Sequence, residues 1–263
     1  MTDITLAPLQ PDWHGMLANL RRQGTPERVY CFEHGISQHV LDALDERFGI
    51  WPGRADTRGD QWDRHVAIHR YLGMEWFRVF PPNARFEIAR KRDGGWVEEG
   101  RGPIGSWADF DRYPWPDPAA ADFAVLEHLD RRLPDQQRAF HCLDMWEKAK
   151  DLFGFETFCY ALYDQPDLVE AVFTRVGEYT EAMVASLCDF RSIGAIYIAD
   201  DLGFKTGLFA PPDDIRRLVL PWHRRYAEQA HAHGKLFVLH SCGEMYALID
   251  EYLDDVGIDA KHS

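Results

Sequence analysis

A histidine and a cysteine two residues apart, His240 and Cys242, end an apolar run in the stretch KLFVLHSCG, residues 235–243. If the strand continues through Ser241, the two side chains point to the same face, so an imidazole and a thiol can converge on one ion. Zinc accepts both kinds of ligand in proteins. Because zinc sites use three or four protein ligands, the pair predicts part of a metal site.

The residues that follow this pair predict a helix. Ser241 and Glu244 have capping-box spacing. The apolar face of the helix would be formed by Met245, Leu248, Ile249, Tyr252 and Leu253. Cys242 would then lie at the helix N-terminus, where the macrodipole and free N–H groups favour the thiolate. Gly243 would let the backbone turn closely around the site.

Short apolar runs predict the elements that position these residues. Six buried strands are expected at VYCF (29–32), EWFRVF (75–80), RAFHCL (138–143), GAIYIA (194–199), KLFVLH (235–240) and GIDAKH (257–262). Helical periodicity separates several of them, most clearly over 168–187 and 215–226. This β/α alternation favours an α/β fold, either a (β/α) barrel or a doubly wound sheet, in a single domain spanning 1–263.

The segment near 81–120 interrupts the alternation. FEIARKRDGGWVEEG predicts a hairpin turning at Asp93-Gly94-Gly95, and YPWPDP follows it. We interpret the segment as an insertion over one end of the barrel. A plain surface decoration is the alternative, because only some hairpin insertions line a site.

Polar residues recur where the predicted strands end, which is where barrel active sites form. They are Glu33, His34, Asp144, Asp200, Asp201, His240, Cys242, Lys261 and His262. The predicted catalytic residues, for substrate orientation or proton handling, are Asp200, Asp201 and Glu33. The predicted substrate-binding residues are Lys205, Asp144 and His34. For each one the alternative is a helix cap, a satisfied loop residue or a solvated side chain, and their recurrence favours a common site.

Composition excludes several classes of protein. Forty-three acidic against 29 basic residues give a formal charge of −14, which disfavours nucleic-acid binding. No window is apolar enough to span a membrane, and the start MTDITLAPLQPDW lacks signal-peptide features. Five scattered cysteines without CxxC spacing indicate reduced thiols. We therefore expect a cytoplasmic protein without nucleic-acid or membrane partners, and the oligomeric state stays open.

Three longer stretches resemble a known family. DLFGFETFCYALYDQPDLVEAVF (151–173), IADDLGFKTGLFAPPDDIRRLVLPW (198–222) and KLFVLHSCG (235–243), with ERVYCFEHG (27–35), are similar to the uroporphyrinogen decarboxylase superfamily. The resemblance extends to its branch of zinc-dependent corrinoid and coenzyme M methyltransferases. It implies a TIM (β/α)₈-type barrel with its site at the strand C-termini. His240 and Cys242 match the family's zinc-binding His-x-Cys pair.

The resemblance also implies a reaction. A small-molecule thiol bound to zinc would exchange a methyl group with a corrinoid cofactor, which a partner corrinoid protein can carry. In that branch a cysteine much later in the chain is a further zinc ligand. Here about six strands are found, so we expect a truncated barrel. Carboxylates such as Asp201 or Glu33 are the nearby candidates to replace that cysteine. We expect the third ligand position to be empty or filled by water, so that the chain alone binds zinc poorly.

Two alternatives remain from the sequence. The first is a decarboxylase of a tetrapyrrole or another acid, which needs basic residues at the barrel mouth. Against authentic uroporphyrinogen decarboxylation, the second strand ends in Pro81 and Pro82, and GISQHVLDALDERFG (35–49) does not resemble the family's arginine motif. The second alternative is a non-catalytic truncated barrel that binds a corrinoid protein.

Overall fold

A computed structural model describes residues 10–81, 86–88 and 100–263. These residues form two compact units, the first comprising the chain up to Pro81 with Asp122–His141 and Phe190–Gly194, and the second comprising the remainder. None of the helices in the described ranges has the length and apolar character needed to cross a membrane. The prediction of a single domain over 1–263 stays a prediction.

The strands are β1 (Cys31–Phe32), β2 (Met74–Arg78), β3 (Arg138–Phe140), β4 (Cys142–Leu143), β5 (Ala195–Ala199), β6 (Gly203–Phe204), β7 (Gly207–Leu208), β8 (Leu236–His240) and β9 (Ala260–His262). The α-helices are α1 (Trp13–Leu20), α2 (Gln38–Phe48), α3 (Arg58–Tyr71), α4 (Trp107–Arg112), α5 (Ala124–Arg132), α6 (Trp146–Phe153), α7 (Phe155–Asp164), α8 (Pro166–Cys188), α9 (Pro212–Leu218), α10 (Leu220–Ala232) and α11 (Ile249–Glu251). Shorter helical turns are the 3₁₀ segments Pro118–Ala120 and Tyr246–Leu248 and the π-helical segment Tyr252–Val256.

The first unit is built on a parallel sheet of order β1-β2-β3. Trp76 of β2 stacks on Phe32 and contacts Phe140, so aromatic rings fill the space beside the sheet. Glu75 is wholly buried and is paired with Arg28. A buried carboxylate requires such a partner because desolvation without compensation would be costly.

The second unit contains a parallel sheet of order β4-β5-β8-β9. The registers align Ala199 with His240 and His240 with His262. The strands β5 and β8 are apolar and buried along most of their length, as expected for parallel strands covered on both faces. Because parallel strands end at the same edge, the residues after β5, β8 and β9 are brought together there.

All six predicted strands are present, and the alternation of parallel strands with helices is confirmed. The third predicted strand is in fact two strands, β3 and β4, which belong to different sheets and are separated by His141. The periodic run 168–187 forms α8, as predicted. The run 215–226 instead forms two helices that meet at Val219, because Pro221 has no N–H to continue the first one.

The predicted hairpin near 81–120 falls largely outside the described residues, including its turn at Asp93-Gly94-Gly95. The described part of this segment contains α4 and the 3₁₀ turn Pro118–Ala120. A different hairpin, which we did not predict, lies in GFKTGL, where β6 and β7 pair antiparallel. It follows β5 by three residues, and it therefore lies next to the candidate site.

Candidate metal centre

The ends of two strands of the second unit, β5 and β8, build the candidate centre. Asp201 follows β5, His240 is the last residue of β8, and Cys242 follows β8 by two residues. Backbone bonds hold these ends in place: Asp200 N donates to His240 O at 3.0 Å, and Ser241 N donates to His262 O at 3.1 Å.

Asp201, His240 and Cys242 form a compact donor cluster, with their ligand atoms all within 4.8 Å of one another. His240 Nε2 lies 3.5 Å from Cys242 Sγ and 3.6 Å from Asp201 Oδ1. With bond lengths of about 2.3 Å to sulfur and about 2.0 Å to nitrogen, a tetrahedral zinc ion holds these two ligand atoms about 3.5 Å apart. The donor set therefore fits zinc. In the part of the chain that the structure describes, this is the one such cluster of three.

The protonation of this cluster differs from the sequence prediction. Burial raises the pKa of the Cys242 thiol, and the Asp201 carboxylate raises it further. Burial lowers the pKa of His240, although Asp201 opposes this effect. Without a metal, the cluster therefore favours a thiol and a neutral imidazole, and the predicted thiolate at Cys242 is wrong for this state. A bound cation would reverse this preference at the thiol.

The predicted thiolate at Cys242 lacks its expected support because the predicted capping box and helix start do not form. Regular helix is replaced by a 3₁₀ turn beginning at Tyr246, and Cys242 lies in a loop. The hydroxyl of Ser241 accepts from Leu202 N at 3.1 Å, and Glu244 Oε1 accepts from Tyr246 N. Both side chains predicted to cap the helix therefore bind other groups. The N–H of Cys242 donates to Asp201 Oδ1 at 2.7 Å, so a carboxylate and not a helix dipole faces this residue.

The β6–β7 hairpin packs tightly against the cysteine loop. Glu244 N donates to Phe204 O at 2.7 Å. Gly243 has φ +75°, and a Cβ there would lie 2.2 Å from Gly203 O. A Cβ on Gly203 would lie 2.1 Å from Glu244 O. Both glycines are therefore required by close backbone approach, and the hairpin fixes the loop that carries Cys242.

Asp200 occupies a different environment from its neighbour Asp201. Its side chain is wholly buried, with Oδ1 accepting from Met145 N at 2.9 Å and from Glu147 N at 3.2 Å. Its Oδ2 lies 2.9 Å from His223 Nε2, and His223 Nδ1 lies 3.0 Å from Tyr252 Oη. Asp200 thus joins the end of β5 to the start of α6. The catalytic role predicted for Asp200 stays a prediction.

Glu147, in the first turn of α6, is a titratable residue that the sequence did not single out. Burial raises the pKa of its carboxyl to about 7, against the opposing effect of Lys150. Lys150 Nζ lies 2.8 Å from Glu147 Oε2. The charge of Glu147 also contributes to raising the pKa of Cys242, so the two residues are within electrostatic range. A carboxyl that titrates near neutrality can both accept and donate a proton at cellular pH.

This pKa predicts a pH effect on stability. The pKa of Glu147 is higher in the folded protein than in the unfolded chain, so between pH 4.5 and about 7 only the native state holds the proton. The stability that this proton contributes is therefore present below pH 4.5 and is lost as the pH rises to about 7. We expect Glu147→Gln to be more stable than the parent at pH 8 by about 1–2 kcal/mol, allowing for partial exposure, and to lose this advantage at pH 5. Urea unfolding of both proteins at pH 5 and pH 8 measures this difference in stability. A difference of the same size at the two pH values would contradict the prediction.

The remaining predicted site residues lie as follows. Asp144 follows β4, and its carboxylate is 3.3 Å from Lys148 Nζ. Lys205 is exposed at the turn of the β6–β7 hairpin, with Nζ 5.8 Å from the centroid of the Phe204 ring. Glu33 and His34 follow β1 in the first unit. Their predicted roles in catalysis or substrate binding stay predictions.

His34 Nε2 lies 3.3 Å from Arg78 Nη1, at the end of β2. Within the first unit, therefore, His34 and Arg78 meet where two neighbouring strands end. The sequence does carry a signal for Glu147, because this residue lies in the first helical turn after strand β4.

A comparison with protein families finds a match that includes the residues of the candidate centre. Residues 145–262 match the family Uroporphyrinogen decarboxylase (URO-D). This range contains all three members of the donor cluster. No curated protein matches the chain.

The solved structure of a methyltransferase from Methanosarcina mazei has the same fold, with a TM-score of 0.63 and 18% sequence identity over 96% of this chain and 75% of that one. At this identity the likeness shows the fold alone, and with the parallel β/α units it confirms an α/β, partial TIM-barrel-type fold class. The predicted resemblance is thus confirmed by the match of residues 145–262 to the uroporphyrinogen decarboxylase family and by the shared fold.

Proposed function

We propose that the protein is a zinc-dependent methyltransferase that moves a methyl group between a corrinoid and a small-molecule thiol. The observation that carries this proposal is the Asp201–His240–Cys242 cluster, whose spacing suits one tetrahedral ion. Three protein ligands leave a fourth position for a substrate, which is the arrangement of catalytic and not of structural zinc sites. Cys242 is exposed, so this position can be reached from solvent.

In this proposal each residue has a defined task. Asp201, His240 and Cys242 would hold the metal. Zinc, when bound, supplies the positive charge that lowers the pKa of a substrate thiol. Glu147, which titrates near neutrality, would take the proton that the thiol releases. The methyl group would come from a corrinoid, bound directly or carried on a partner protein.

The second unit gives less support to the decarboxylase alternative. A decarboxylase of an acidic substrate needs basic side chains that are available to bind carboxylates. Lys148 pairs with Asp144, Lys150 pairs with Glu147, and Lys261 Nζ donates to Ser241 O at 3.0 Å. These three lysines are therefore engaged by groups of the protein. The donor cluster, by contrast, has the composition of a metal site.

Zinc titration of the metal-stripped protein, followed by competition with a chelating indicator, tests the metal site. We expect one zinc per chain, with affinity lowered about 100-fold or more in His240→Ala and Cys242→Ser, because a lost ligand should cost more than a lost outer-shell partner. Cys159→Ser is the matched control, since Cys159 lies on α7 and outside the cluster. Equal affinity in Cys242→Ser and Cys159→Ser would reject the proposed site.

Methyl transfer from a methylated corrinoid to a small thiol, measured with and without zinc, tests the reaction. We expect zinc-dependent methylation that disappears in Cys242→Ser. Zinc binding with no methylation of any thiol, together with carbon dioxide release from an acidic tetrapyrrole, would favour the decarboxylase. Zinc binding with neither activity, but with capture of a corrinoid protein, would favour the non-catalytic alternative.

A further inference from the structure

We infer that His262 fixes the tautomer of His240, and so keeps the Nε2 lone pair of His240 directed at the Asp201–His240–Cys242 cluster. This inference rests on the proposed metal site. It assigns a role to a residue that the sequence analysis noted only as a polar group at a strand end. His262 would act through His240, as a positioning residue.

The two imidazole rings lie side by side on paired strands, with their planes tilted by 37°. His240 and His262 are register partners in β8 and β9, and their ring centroids are 4.9 Å apart. His240 Nδ1 lies 2.7 Å from His262 Nδ1, which is a hydrogen-bond distance. The opposite ring nitrogen, His240 Nε2, is the one that faces Cys242 and Asp201. The imidazole of His240 therefore lies between His262 and the cluster.

Only one proton can lie between the two Nδ1 atoms. If His240 carries it, His240 Nε2 has a free lone pair and is ready to bind a cation. If His262 carries it, His240 Nε2 is protonated and cannot bind one. The direction of this single hydrogen bond therefore decides whether the neutral His240 ring is a competent ligand.

The position of His240 Nε2 in the cluster favours the first arrangement. A ring nitrogen binds a cation through its lone pair, so ligation by His240 Nε2 requires the proton to lie on Nδ1. His262 Nδ1 then accepts this proton at 2.7 Å. Tyr197 Oη lies 3.3 Å from the same His262 Nδ1, and because a hydroxyl both donates and accepts, this contact fits either direction of the bond.

The other ring nitrogen of His240, Nε2, faces Cys242 Sγ at 3.5 Å and the carboxylate of Asp201. Asp201 Oδ1 is 3.6 Å from His240 Nε2, beyond hydrogen-bond range, and it already accepts from Cys242 N at 2.7 Å. A proton on Nε2 would therefore gain little from the carboxylate. Ligating histidines commonly donate their second N–H to a fixed acceptor, and removing such an acceptor typically lowers metal affinity 10–100-fold.

Imidazole ¹H–¹⁵N correlation spectra of the metal-free protein at pH 8 test the inference, and they need no measurement of enzyme activity. We expect His240 to carry its proton on Nδ1. In His262→Ala we expect a mixture of tautomers or the Nε2–H form. His262→Asn offers a carbonyl oxygen as the acceptor and should restore Nδ1–H. His233→Ala is the control, because His233 is an exposed histidine bonded to Gln229 O.

Zinc titration of the same variants supplies the second readout. We expect an affinity about 10–100-fold lower in His262→Ala, largely recovered in His262→Asn, and unchanged in His233→Ala. Circular dichroism establishes that each variant is folded. A merely structural role for His262 would not produce recovery by an acceptor side chain together with a change of tautomer at His240.

The outcomes separate this inference from the proposed function. An Nε2–H tautomer in the parent protein, or an unchanged Nδ1–H tautomer in His262→Ala, would overturn the inference even if zinc binds. An Nδ1–H tautomer that is lost in His262→Ala supports it. If that result is obtained in a parent protein that binds no zinc, the metal proposal fails while the tautomer assignment stands.

Discussion

Asp200→Ala is expected to lower the free energy of unfolding by about 3–5 kcal/mol, as for other buried polar pairs that lose one partner. Asp200 is wholly buried and accepts from two backbone N–H groups at the start of α6 and interacts with His223. Alanine would leave these groups without their acceptor in a region that water does not reach. Each buried donor left unsatisfied costs about 1–3 kcal/mol, so the total loss is large.

The adjacent residue provides the matched control. Asp201 is partly exposed, and within the described contacts its main bond is from Cys242 N. We expect Asp201→Ala to lower the free energy of unfolding by only about 1 kcal/mol, and yet to lose zinc affinity about 100-fold or more. Urea unfolding in the presence of a chelator measures stability, and zinc titration measures affinity. Equal destabilisation by the two substitutions would contradict the division of roles between these aspartates.

Gly243→Ala is the second substitution expected to have a large effect. Its Cβ would lie 2.2 Å from Gly203 O and 2.7 Å from Phe204 N, backbone atoms that cannot move aside as a flexible side chain would. The φ of +75° adds the cost of a left-handed conformation, about 1–2 kcal/mol. With overpacking at about 1–3 kcal/mol, we expect a total loss of about 2–5 kcal/mol.

Gly234→Ala separates the two causes. Gly234 has a similar φ of +69°, but a Cβ there would meet nothing within 4 Å. We therefore expect a loss of only about 1–2 kcal/mol, from the backbone conformation alone. Zinc affinity should fall about 10-fold or more in Gly243→Ala, because the displaced hairpin would move Cys242, and should stay unchanged in Gly234→Ala. Equal losses of stability and affinity in both variants would mean that the close hairpin contact is unimportant.

Much of the fold could be predicted because apolar runs and periodicity are local signals. The buried run GAIYIA became β5 and KLFVLH became β8, since continuous apolar residues favour strands covered on both faces. The convergence of His240 and Cys242 was also predictable. Residues two apart at a strand end point the same way, and this needs no knowledge of the rest of the chain.

Other local signals failed because a distant group competed for the same atoms. Ser241 and Glu244 have capping-box spacing, but Leu202 N takes the serine hydroxyl and Phe204 O takes the glutamate N–H. Both competitors come from the segment that follows β5. The sequence near Cys242 does not contain this information, so the predicted helix start and the predicted thiolate were both wrong.

The sequence by itself determined the positions of six strands, the superfamily resemblance and the candidate ligands His240 and Cys242. Only the tertiary structure decided between the neighbours Asp200 and Asp201, which look equivalent in the sequence. Where β5 ends, one carboxylate turns into the interior toward His223, and the other turns toward Cys242. The register of β9 likewise decided that His262 meets His240. Strand pairing joins residues far apart in the chain, and no local pattern encodes which side chains it brings into contact.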